Sequence, residues 1–375
     1  MRIDRAGRAL RIGVIGCGHW GPNHIRVFSE LDRSTVVACA ESNESRLARV
    51  TQRFGHVRGV RDYRALLADS DVDAVVVATP TATHAGIVRE ALLAGKHVLA
   101  EKPLCTSSAE TRELSELASR VGRVLMVGHV FVFNHGIIRL REAIAGGELG
   151  RIHYVDAVRT NLGPVRGDVN ALVDLGTHDI SIFNYLLNES PVAVSATGRR
   201  ISQDRNEDVC FATLRYPSGA VAHLHVSWLN PRKVRTLTVV GEAAMAHWDD
   251  VDPSDSLRLY DKGFDEPPYY DSFGEFKCLL RSGDVRIPSI GRTEPLVNQA
   301  NAFLDWVIDG VPCASGAAEA ARVAEVLEAA TISLANEGAY CPIPAPLVLC
   351  DARADRDSIE IGSFSRASYP DFIPT

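Results

Sequence analysis

Short apolar runs alternate with helical periodicity through the first third of the chain. The run from Arg11 to Ile15 ends in glycines, and apolar positions at helical spacing follow between His19 and Glu30. The same alternation predicts further strands at 35–40, 74–78, 97–100 and 124–127, and further helices at 44–54, 63–68, 84–94 and 107–121. Apolar strands separated by amphipathic helices are typical of a parallel sheet covered on both faces.

The pattern changes after a glycine-bearing turn at 146–150, which follows a predicted helix at 137–145. Alternating strands are then predicted at 152–160, 193–198, 209–216, 220–227, 235–241 and 244–248. Pro217-Ser218-Gly219 is typical of a hairpin turn between two of them, which indicates a mostly antiparallel sheet. Helices at 296–308 and 317–336 complete the core, whereas the polar segment 250–293 is interpreted as long loops near the pocket or an interface.

Composition excludes several classes of protein. The 46% of hydrophobic and 23% of charged residues are ordinary for a globular protein, and 375 residues suggest two domains. A net charge of −7 gives no reason to expect nucleic acid as a partner. The polar start of the chain does not look like an export signal, and no stretch is apolar enough to span a membrane. The eight cysteines show no zinc spacing, so we expect reduced thiols, no metal and a cytoplasmic protein.

The first glycines have the G-x-G-x-x-G spacing of a dinucleotide-binding turn. Gly16 permits the tight turn, Gly18 allows close approach to a pyrophosphate, and Gly21 lets the next helix pack against the sheet. The anion then lies at the helix N-terminus. His19 and Trp20 lie within this turn and are predicted to contact the cofactor as well.

An acidic residue follows the second predicted strand at the expected distance. Glu41 comes 20 residues after Gly21, where dinucleotide-binding folds place the carboxylate that binds the adenosine ribose. A carboxylate there repels a 2′-phosphate, which favours NAD over NADP. Arg46 keeps NADP open, because its side chain can reach such a phosphate.

Polar residues follow the next two strands of the predicted parallel sheet, whose ligands bind beyond the carboxyl ends. Thr79, Thr81 and His84 follow one strand, and Glu101 and Lys102 follow the other. Threonine also suits a helix N-cap at 81 or 83. An ammonium after a buried strand can hold a substrate hydroxyl or stabilise an alkoxide, although an exposed loop lysine is the alternative for Lys102.

Five motifs resemble, in order and spacing, those of the glucose–fructose oxidoreductase/inositol dehydrogenase (Gfo/Idh/MocA) family: Gly16-x-Gly18-x-x-Gly21, Thr79-Pro80-Thr81 with His84, Gly95-Lys96-His97-Val98, Glu101-Lys102-Pro103 and Asp174-Leu-Gly-Thr-His178-Asp179. The resemblance covers about residues 10–340. One departure is Val132-Phe133-Asn134-His135, where many members have Arg-Phe-Asn-Pro, and this puts substrate contacts in that region in doubt.

The resemblance implies an α/β protein with an N-terminal Rossmann domain and a C-terminal α/β domain that has a mainly antiparallel open sheet. We predict the Rossmann domain at 1–146, a substrate-binding and oligomerisation domain at 147–350, and a peripheral tail at 351–375, with a helix at 317–337 packing back on the first domain. The resemblance further implies a homodimer or homotetramer formed through the C-terminal sheet, and a cis peptide bond between Lys102 and Pro103.

The resemblance also implies catalytic roles: Lys102 as the catalytic lysine, His178 as the acid/base and Asp174 as its partner. Asp174 and His178 are four residues apart, so on an α-helix they share one face, where the carboxylate can orient the imidazole. Such a pair is also common as a surface salt bridge. Asp179 points about 100° away and is interpreted as structural.

The segment Asn161 to Asn170, followed by Asp174 and His178, looks like the branch that acts on nucleotide-linked sugars at the 3-position. Arg166, Asp168 and Asn170 are predicted to line the substrate pocket, although Asp168 or Asn170 can instead cap the following helix. His223 and His225 alternate on one strand face without a third metal ligand, so a sheet-face pair is expected.

The predicted function is hydride exchange between NAD and a carbinol carbon of a sugar. An inositol or free-sugar dehydrogenase is the nearest alternative. A glycosidase that oxidises its sugar transiently, or a non-catalytic sugar sensor, is the alternative of another class. Retention of Lys102, Asp174 and His178 argues against the sensor.

Overall fold

The structure is a computed structural model that describes residues 9–167, 169–202, 206–265 and 279–344. Asp168 and the predicted tail at 351–375 lie outside the described residues. No described helix combines the length and apolar character needed to cross a membrane.

Within these residues, the first sheet consists of six parallel strands in the order β3-β2-β1-β4-β5-β6. The strands are β1 (Leu10–Ile15), β2 (Ser34–Ala40), β3 (Arg58–Val60), β4 (Ala74–Val77), β5 (His97–Ala100) and β6 (Leu125–Val127). β4 and β5 are buried at every position, which explains why all their residues but His97 are apolar. The strand order reverses between β1 and β4, and ligands of such sheets bind at that point.

Helices connect and cover these strands: α1 (Gly21–Glu30), α2 (Glu44–Arg53), α3 (Arg64–Ala68), α4 (His84–Leu93), α5 (Ser108–Val121) and α6 (His135–Ala145). Side-chain caps and a glycine mark the ends of two of these helices. Asn43 caps α2 by accepting a hydrogen bond from the backbone N–H of Arg46. Ser107 caps α5 in the same way, and Gly122 ends that helix with a φ of +63°.

The second sheet of the described residues has nine strands in the order β14-β13-β12-β11-β7-β10-β9-β8-β15. They are β7 (Ile152–Leu162), β8 (Ala193–Arg199), β9 (Val209–Arg215), β10 (Val221–Ser227), β11 (Leu229–Gly241), β12 (Met245–Asp249), β13 (Leu257–Asp265), β14 (Leu279–Arg286) and β15 (Cys341–Pro342). The pairing is antiparallel except between β7 and β10. The mainly antiparallel sheet predicted from the sequence is therefore confirmed.

The interpretation of 250–293 as loops is wrong in part, because β13 and β14 lie in this segment. β13 lies between β12 and β14 and buries Leu257 and Leu259. β14 forms the edge of the sheet, and its Arg281, Asp284 and Arg286 side chains are intermediate to exposed. An edge strand that is open to solvent does not need alternating apolar positions, so the sequence lacked the signal of a half-buried strand.

Two helices, α7 (Thr177–Leu187) and α9 (Ala317–Ala335), pack on the second sheet. The helix between them, α8 (Pro295–Leu304), belongs to the core of the first sheet, where Phe303 meets Phe28 of α1. Buried residues of α7 and α9, such as Phe183 and Val326, belong to one core with Leu224 of β10. Glu328 of α9 accepts hydrogen bonds from the backbone N–H and the hydroxyl of Ser108, at 2.7 and 2.6 Å. α9 therefore contacts elements on both sides of the predicted domain boundary. The boundary itself stays a prediction.

Candidate active site

The glycine turn leads from β1 into α1, and its geometry explains each glycine. Gly16 has a φ of +92°, and a Cβ there would lie 2.7 Å from the carbonyl oxygen of Ala78 at the end of β4. A Cβ on Gly21 would lie 2.0 Å from the Gly16 carbonyl oxygen. Around Gly18, by contrast, a Cβ would meet no described atom within 4 Å. The turn is therefore closely packed at Gly16 and Gly21, whereas at Gly18 it leaves space in which a pyrophosphate can approach the backbone.

The N-terminus of α1 is available to an anion. Trp20 precedes the helix, and no side chain of the described residues caps it. His19 and Trp20 are both exposed in the turn, with their rings edge to face at 5.3 Å. The two side chains predicted to contact the cofactor thus lie at the rim of the turn.

Glu41 is held against the glycine turn. One carboxylate oxygen accepts the backbone N–H of Cys17, and the other accepts that of Asn43, each at 2.9 Å. The side chain is 8% exposed. A carboxylate has about four lone-pair sites, so these two bonds leave capacity for ribose hydroxyls.

The polar residues after β4 and β5 are tied together through His84. Its ring is buried, with Nε2 2.8 Å from the Thr79 carbonyl oxygen and Nδ1 3.0 Å from that of Pro103. Thr81 begins a single 3₁₀ turn, and Thr83 donates to Thr79 and the Pro80 carbonyl instead of capping α4. The threonine N-cap interpretation is therefore wrong, because this hydroxyl bonds backward into the turn.

A hydrogen bond to α1 holds the loop that follows β5. The Glu101 carboxylate lies 2.8 Å from Nε2 of His24, a buried residue of α1. The peptide bond between Lys102 and Pro103 is cis, as the resemblance implies. His24 was missed by the sequence reasoning, because no local pattern relates a residue of α1 to one that follows β5.

Lys102 extends from the loop after β5 to the helical segment that contains Asp174. Its Nζ donates to the backbone carbonyl of Asp174 at 2.8 Å and lies 3.5 Å from the carboxylate of the same residue. Its side chain is 13% exposed. Burial lowers the pKa of Lys102 below its ordinary value, and the negative charge of Asp174 opposes that shift.

The predicted direct contact between Asp174 and His178 is not formed in the described structure. The chain from Leu172 to Gly176 winds as a π-helical turn, and no hydrogen bond or ion pair of the described residues joins the Asp174 carboxylate to the imidazole. The Asp174 carboxylate instead accepts hydrogen bonds from Arg166 at 3.0 Å and from the indole N–H of Trp228 at 3.3 Å. Asp174 therefore links Lys102, Arg166 and Trp228.

His178 occupies an environment that disfavours its charged form. Nδ1 is buried without a hydrogen-bond partner among the described atoms, and the ring meets Phe131 edge to face at 4.9 Å. Burial, together with the positive charges of Lys102 and Arg159, lowers the pKa of His178 well below its ordinary value of 6.5. The imidazole is therefore neutral near pH 7 and can accept a proton.

Phe131, which contacts His178, also packs against two arginines. The guanidinium groups of Arg159 and Arg235 lie over its ring at 4.3 and 5.6 Å. Arg159 in turn makes two 2.8 Å hydrogen bonds to Asp179, and both side chains are buried. The sequence identified Asp179 as structural but missed Phe131, Arg159 and Arg235, because their proximity arises from contacts between distant segments.

His129 is a further side chain that the sequence did not single out. It follows β6 by two residues, while Lys102 follows the neighbouring β5 by the same number. Both ring nitrogens are buried without a partner among the described atoms. Burial, with the nearby charge of Lys102, lowers the pKa of His129 to about 4.

Asn170 lies at the start of the helical segment that carries Asp174. Its side-chain oxygen accepts the backbone N–H of Val173 at 2.9 Å, and its amide donates to Glu207 at 3.1 Å. It therefore caps the helix, which was one of the two interpretations of its sequence position. Arg166 contacts Asp174 directly, as described above, whereas Asn170 is oriented toward Glu207.

The remaining candidates have ordinary surroundings. His225 stacks on Phe211 at 4.5 Å, and His223 lies 3.3 Å from the hydroxyl of Thr213. The described cysteines are all free thiols. The described residues contain no cluster of histidine, cysteine or acidic side chains that could hold a metal.

Family models match both halves of the chain. The model of the oxidoreductase family with an NAD-binding Rossmann fold (GFO_IDH_MocA) matches residues 10–129. The model of the GFO/IDH/MocA C-terminal domain matches residues 137–247. The two matched segments contain the glycine turn, Lys102, Asp174 and His178.

Individual relatives differ in how much of the chain they match. The UDP-N-acetylglucosamine 3-dehydrogenase of Acidithiobacillus ferrooxidans is 29% identical over 323 residues, which cover 85% of this chain and 98% of that protein. Its solved structure aligns with a TM-score of 0.74 at 25% identity, over 87% of this chain and 97% of that one.

The chain is also similar to a protein solved with NAD and to an inositol dehydrogenase. GenD2 of gentamicin A biosynthesis, solved in complex with NAD, is 28% identical with a TM-score of 0.76, over 92% of this chain and 99% of that one. The myo-inositol 2-dehydrogenase of Thermotoga maritima is 28% identical over 222 residues, 56% of this chain and 66% of the dehydrogenase. The chain thus spans about two thirds of the inositol dehydrogenase and nearly all of the other two proteins.

Proposed function

The chain belongs to the Gfo/Idh/MocA family of NAD(P)-dependent sugar oxidoreductases, and from this premise we propose that it oxidises or reduces a carbinol carbon of a nucleotide-linked sugar, with NAD as cofactor. The observation that carries the proposal is the contact between Lys102 and Asp174. It brings an ammonium from the dinucleotide-binding domain to the helical segment that bears His178. A lysine and a carboxylate thus lie close to a neutral imidazole, whose pKa the charge of Lys102 helps to lower.

The glycine turn fits a dinucleotide. Its packed underside at Gly16 and Gly21 and its open side at Gly18 suit a pyrophosphate at the N-terminus of α1. His19, Trp20, Glu41, Thr79, Thr81, His84, Glu101 and Lys102 complete the proposed cofactor-binding set. Glu41, with lone pairs to spare, would accept hydrogen bonds from the adenosine ribose, and this supports NAD, as does the NAD complex of GenD2.

In the proposed mechanism, the bound nicotinamide supplies the hydride acceptor or donor. His178 takes the substrate hydroxyl proton through Nε2, since Nδ1 faces the buried interior. Lys102 holds the reacting oxygen, and its positive charge stabilises an alkoxide. Asp174 positions Lys102 through the 2.8 Å carbonyl contact and balances its charge. Arg166 and Asn170 complete the proposed substrate-binding set with Lys102, Asp174 and His178.

Support for a nucleotide-linked sugar comes from the extent of similarity. The UDP-N-acetylglucosamine 3-dehydrogenase matches almost along its whole length, including the segments that follow the glycine-bearing turn. The second candidate is an inositol or free-sugar dehydrogenase, which the similarity to the Thermotoga maritima inositol dehydrogenase favours.

Two single substitutions test the catalytic assignments. We expect His178→Ala to lower kcat about 10²–10⁴-fold, the usual contribution of a general acid or base. Lys102→Ala should lower kcat about 10²–10³-fold. His56→Ala and Lys262→Ala, at exposed positions, are the matched controls. Turnover within a few-fold of the parent in either catalytic variant would refute that role.

A substrate panel tests the sugar. Nucleotide sugars, free sugars and inositols are each incubated with NAD, and NADH absorbance is followed. We expect turnover with nucleotide sugars. Activity confined to inositols would remove the nucleotide-sugar assignment, and release of an aglycone without net NADH would indicate transient-oxidation glycosidase chemistry.

We also propose that the protein is a homodimer or homotetramer that associates through the second sheet. Tyr154, Phe211 and Val221 project from three strands of this sheet with 46%, 42% and 36% of their surface exposed. Tyr154 and Val221 are neighbours in the register, and exposed apolar side chains on a sheet are typical of interaction surfaces. Light scattering coupled to size-exclusion chromatography measures the mass, and a monomer at micromolar concentration would contradict the proposal.

A further inference from the structure

His129 lies beside Lys102 at the carboxyl edge of the first sheet. Ala100 of β5 and Val127 of β6 are paired in the parallel register, and the backbone N–H of Gly128 donates to the Ala100 carbonyl at 2.8 Å. Lys102 and His129 each follow one of these paired residues by two positions. Neighbouring strands of a sheet are about 4.8 Å apart, so the two side chains start from adjacent points of this edge.

The ring of His129 has fewer hydrogen bonds than any other buried histidine that the structure describes. The residue is 3% exposed, and neither ring nitrogen has a partner among the described atoms. His84, by contrast, uses both nitrogens, and His24 and His97 each use one. Burying a polar group without a partner is costly, so such groups in native proteins usually indicate a catalytic role or a buried water.

Lys102 has a hydrogen-bond donor that this imidazole can use. An ammonium carries three N–H donors. One donates to the backbone carbonyl of Asp174 at 2.8 Å, whereas the contact with the carboxylate of the same residue, at 3.5 Å, is at the limit of a hydrogen bond. The proposed reacting oxygen takes a second donor. The third donor is therefore left for another acceptor.

The charges around the two side chains keep the imidazole in the form that accepts a hydrogen bond. Burial and the ammonium of Lys102 lower the pKa of His129 to about 4, and the charge of Glu101 opposes this shift. The ring is therefore neutral near pH 7 and has a lone pair on one nitrogen. The other charges that act on Lys102 are those of Asp174 and Glu101, which raise its pKa, and that of Arg166, which lowers it.

We propose that His129 is a positioning residue for Lys102, whose ammonium donates to one buried water that donates in turn to the imidazole. The inference rests on the proposed function, since that function assigns Lys102 to the reacting oxygen. No direct hydrogen bond joins the two side chains among the described atoms, and buried waters bond to polar groups that lack a protein partner. Held by the Asp174 carbonyl on one side and by His129 on the other, the ammonium directs its remaining N–H at the substrate.

The first test measures this hydrogen bond without turnover. The full chain is labelled with 15N-histidine, and the ring nitrogens are followed in two-bond 1H–15N correlation spectra at pH 7. The His129→Gln variant identifies the His129 signals by their loss. We expect the unprotonated nitrogen of His129 to resonate upfield in the parent relative to Lys102→Met, because accepting a hydrogen bond shields it. Lys262→Met, which removes an exposed lysine, is the matched control and should leave these signals unchanged.

The second test measures how the hydrogen bond affects Lys102 during turnover. His129→Phe keeps a ring but cannot accept a hydrogen bond. We expect it to lower kcat at least about tenfold, with KM changed less than about threefold, as for a lost hydrogen bond to a charged group. The alkaline limb of the kcat–pH profile should move about one unit lower, since Lys102 then loses its proton more readily.

Two variants distinguish this role from a structural one. His129→Gln keeps an acceptor and should restore kcat to within about threefold of the parent, with the alkaline limb in its original position. His97→Asn removes a buried imidazole from the opposite end of β5 and should leave the profile unchanged.

A nitrogen signal that is the same in the parent and in Lys102→Met would overturn the inference and leave the proposed function standing. The same conclusion would follow if His129→Phe kept the profile of the parent, or if His129→Gln lost as much activity as His129→Phe. A shifted nitrogen signal in a chain that turns over no nucleotide sugar, free sugar or inositol with NAD would remove the proposed function, and the positioning role with it, although the hydrogen bond would stand.

Discussion

The buried ion pair between Arg159 and Asp179 supports the wall of the proposed active site. The two side chains are 4% and 3% exposed and share two hydrogen bonds of 2.8 Å. Arg159 also lies over Phe131, which contacts His178. The substitution Asp179→Asn keeps the shape of the side chain but leaves the guanidinium charge buried without its counter-ion.

The burial of the ion pair determines how far Asp179→Asn lowers the free energy of unfolding. Removing one partner of a buried ion pair typically lowers the free energy of unfolding by about 3–5 kcal/mol. With a urea dependence of about 3 kcal/mol per molar, the unfolding midpoint falls by roughly 1.0–1.7 M. The double substitution Arg159→Met/Asp179→Leu removes both charges and should recover part of this loss, because apolar replacements of similar volume avoid the uncompensated charge.

Urea unfolding followed by far-ultraviolet circular dichroism measures the change. Glu113→Gln is the control, because it breaks an ion pair with Arg89 whose side chains are 65% and 42% exposed, worth less than about 1 kcal/mol. We also expect the turnover of Asp179→Asn to fall, since Arg159 no longer has a fixed position over Phe131. A midpoint as close to the parent as that of the control would refute the reasoning.

Three further predictions concern other parts of the site. Gly21→Ala should weaken NAD binding at least tenfold in a fluorescence titration, since the added Cβ would lie 2.0 Å from a backbone oxygen of the turn; unchanged affinity contradicts this packing. Because burial lowers the pKa of His178 well below 6.5, kcat/KM for alcohol oxidation should stay constant down to about pH 6 and fall only in more acidic buffer; a midpoint at 6.5 or above in the pH–rate profile is the contrary result. Burial lowers the pKa values of His97 and His129 to about 4, so between pH 6.5 and 4 the unfolded chain takes up protons that the native chain does not. Stability that is fully present above pH 6.5 should therefore be lost on acidification, by up to about 3 kcal/mol per histidine, and the His129→Gln variant should show a shallower dependence in urea titrations at several pH values.

The sequence predicted the strands that are buried along their whole length and the helices that connect them. The parallel strands are short runs that are apolar on both faces, such as Ala74–Val77, and their helices carry local caps, such as Asn43 and Ser107. These signals lie within a few residues of each other, so they can be read without the fold. β14 was missed because an edge strand open to solvent has no such periodicity. β13 was missed because its alternation is short, with only Leu257 and Leu259 as buried apolar side chains in an otherwise polar segment.

For the candidate site, the sequence by itself determined the residue types and their order along the chain: the glycine turn, Lys102 after β5, and Asp174 and His178 in one helical segment. Only the tertiary structure decided which of them meet. In the folded chain Asp174 contacts Lys102, Arg166 and Trp228 instead of His178, and packing between distant segments places Phe131 and two arginines around the imidazole. The physical reason is that local spacing shows only which side chains can share a helix face, whereas contacts across 72 residues of chain, as between Lys102 and Asp174, depend on how whole sheets and helices pack.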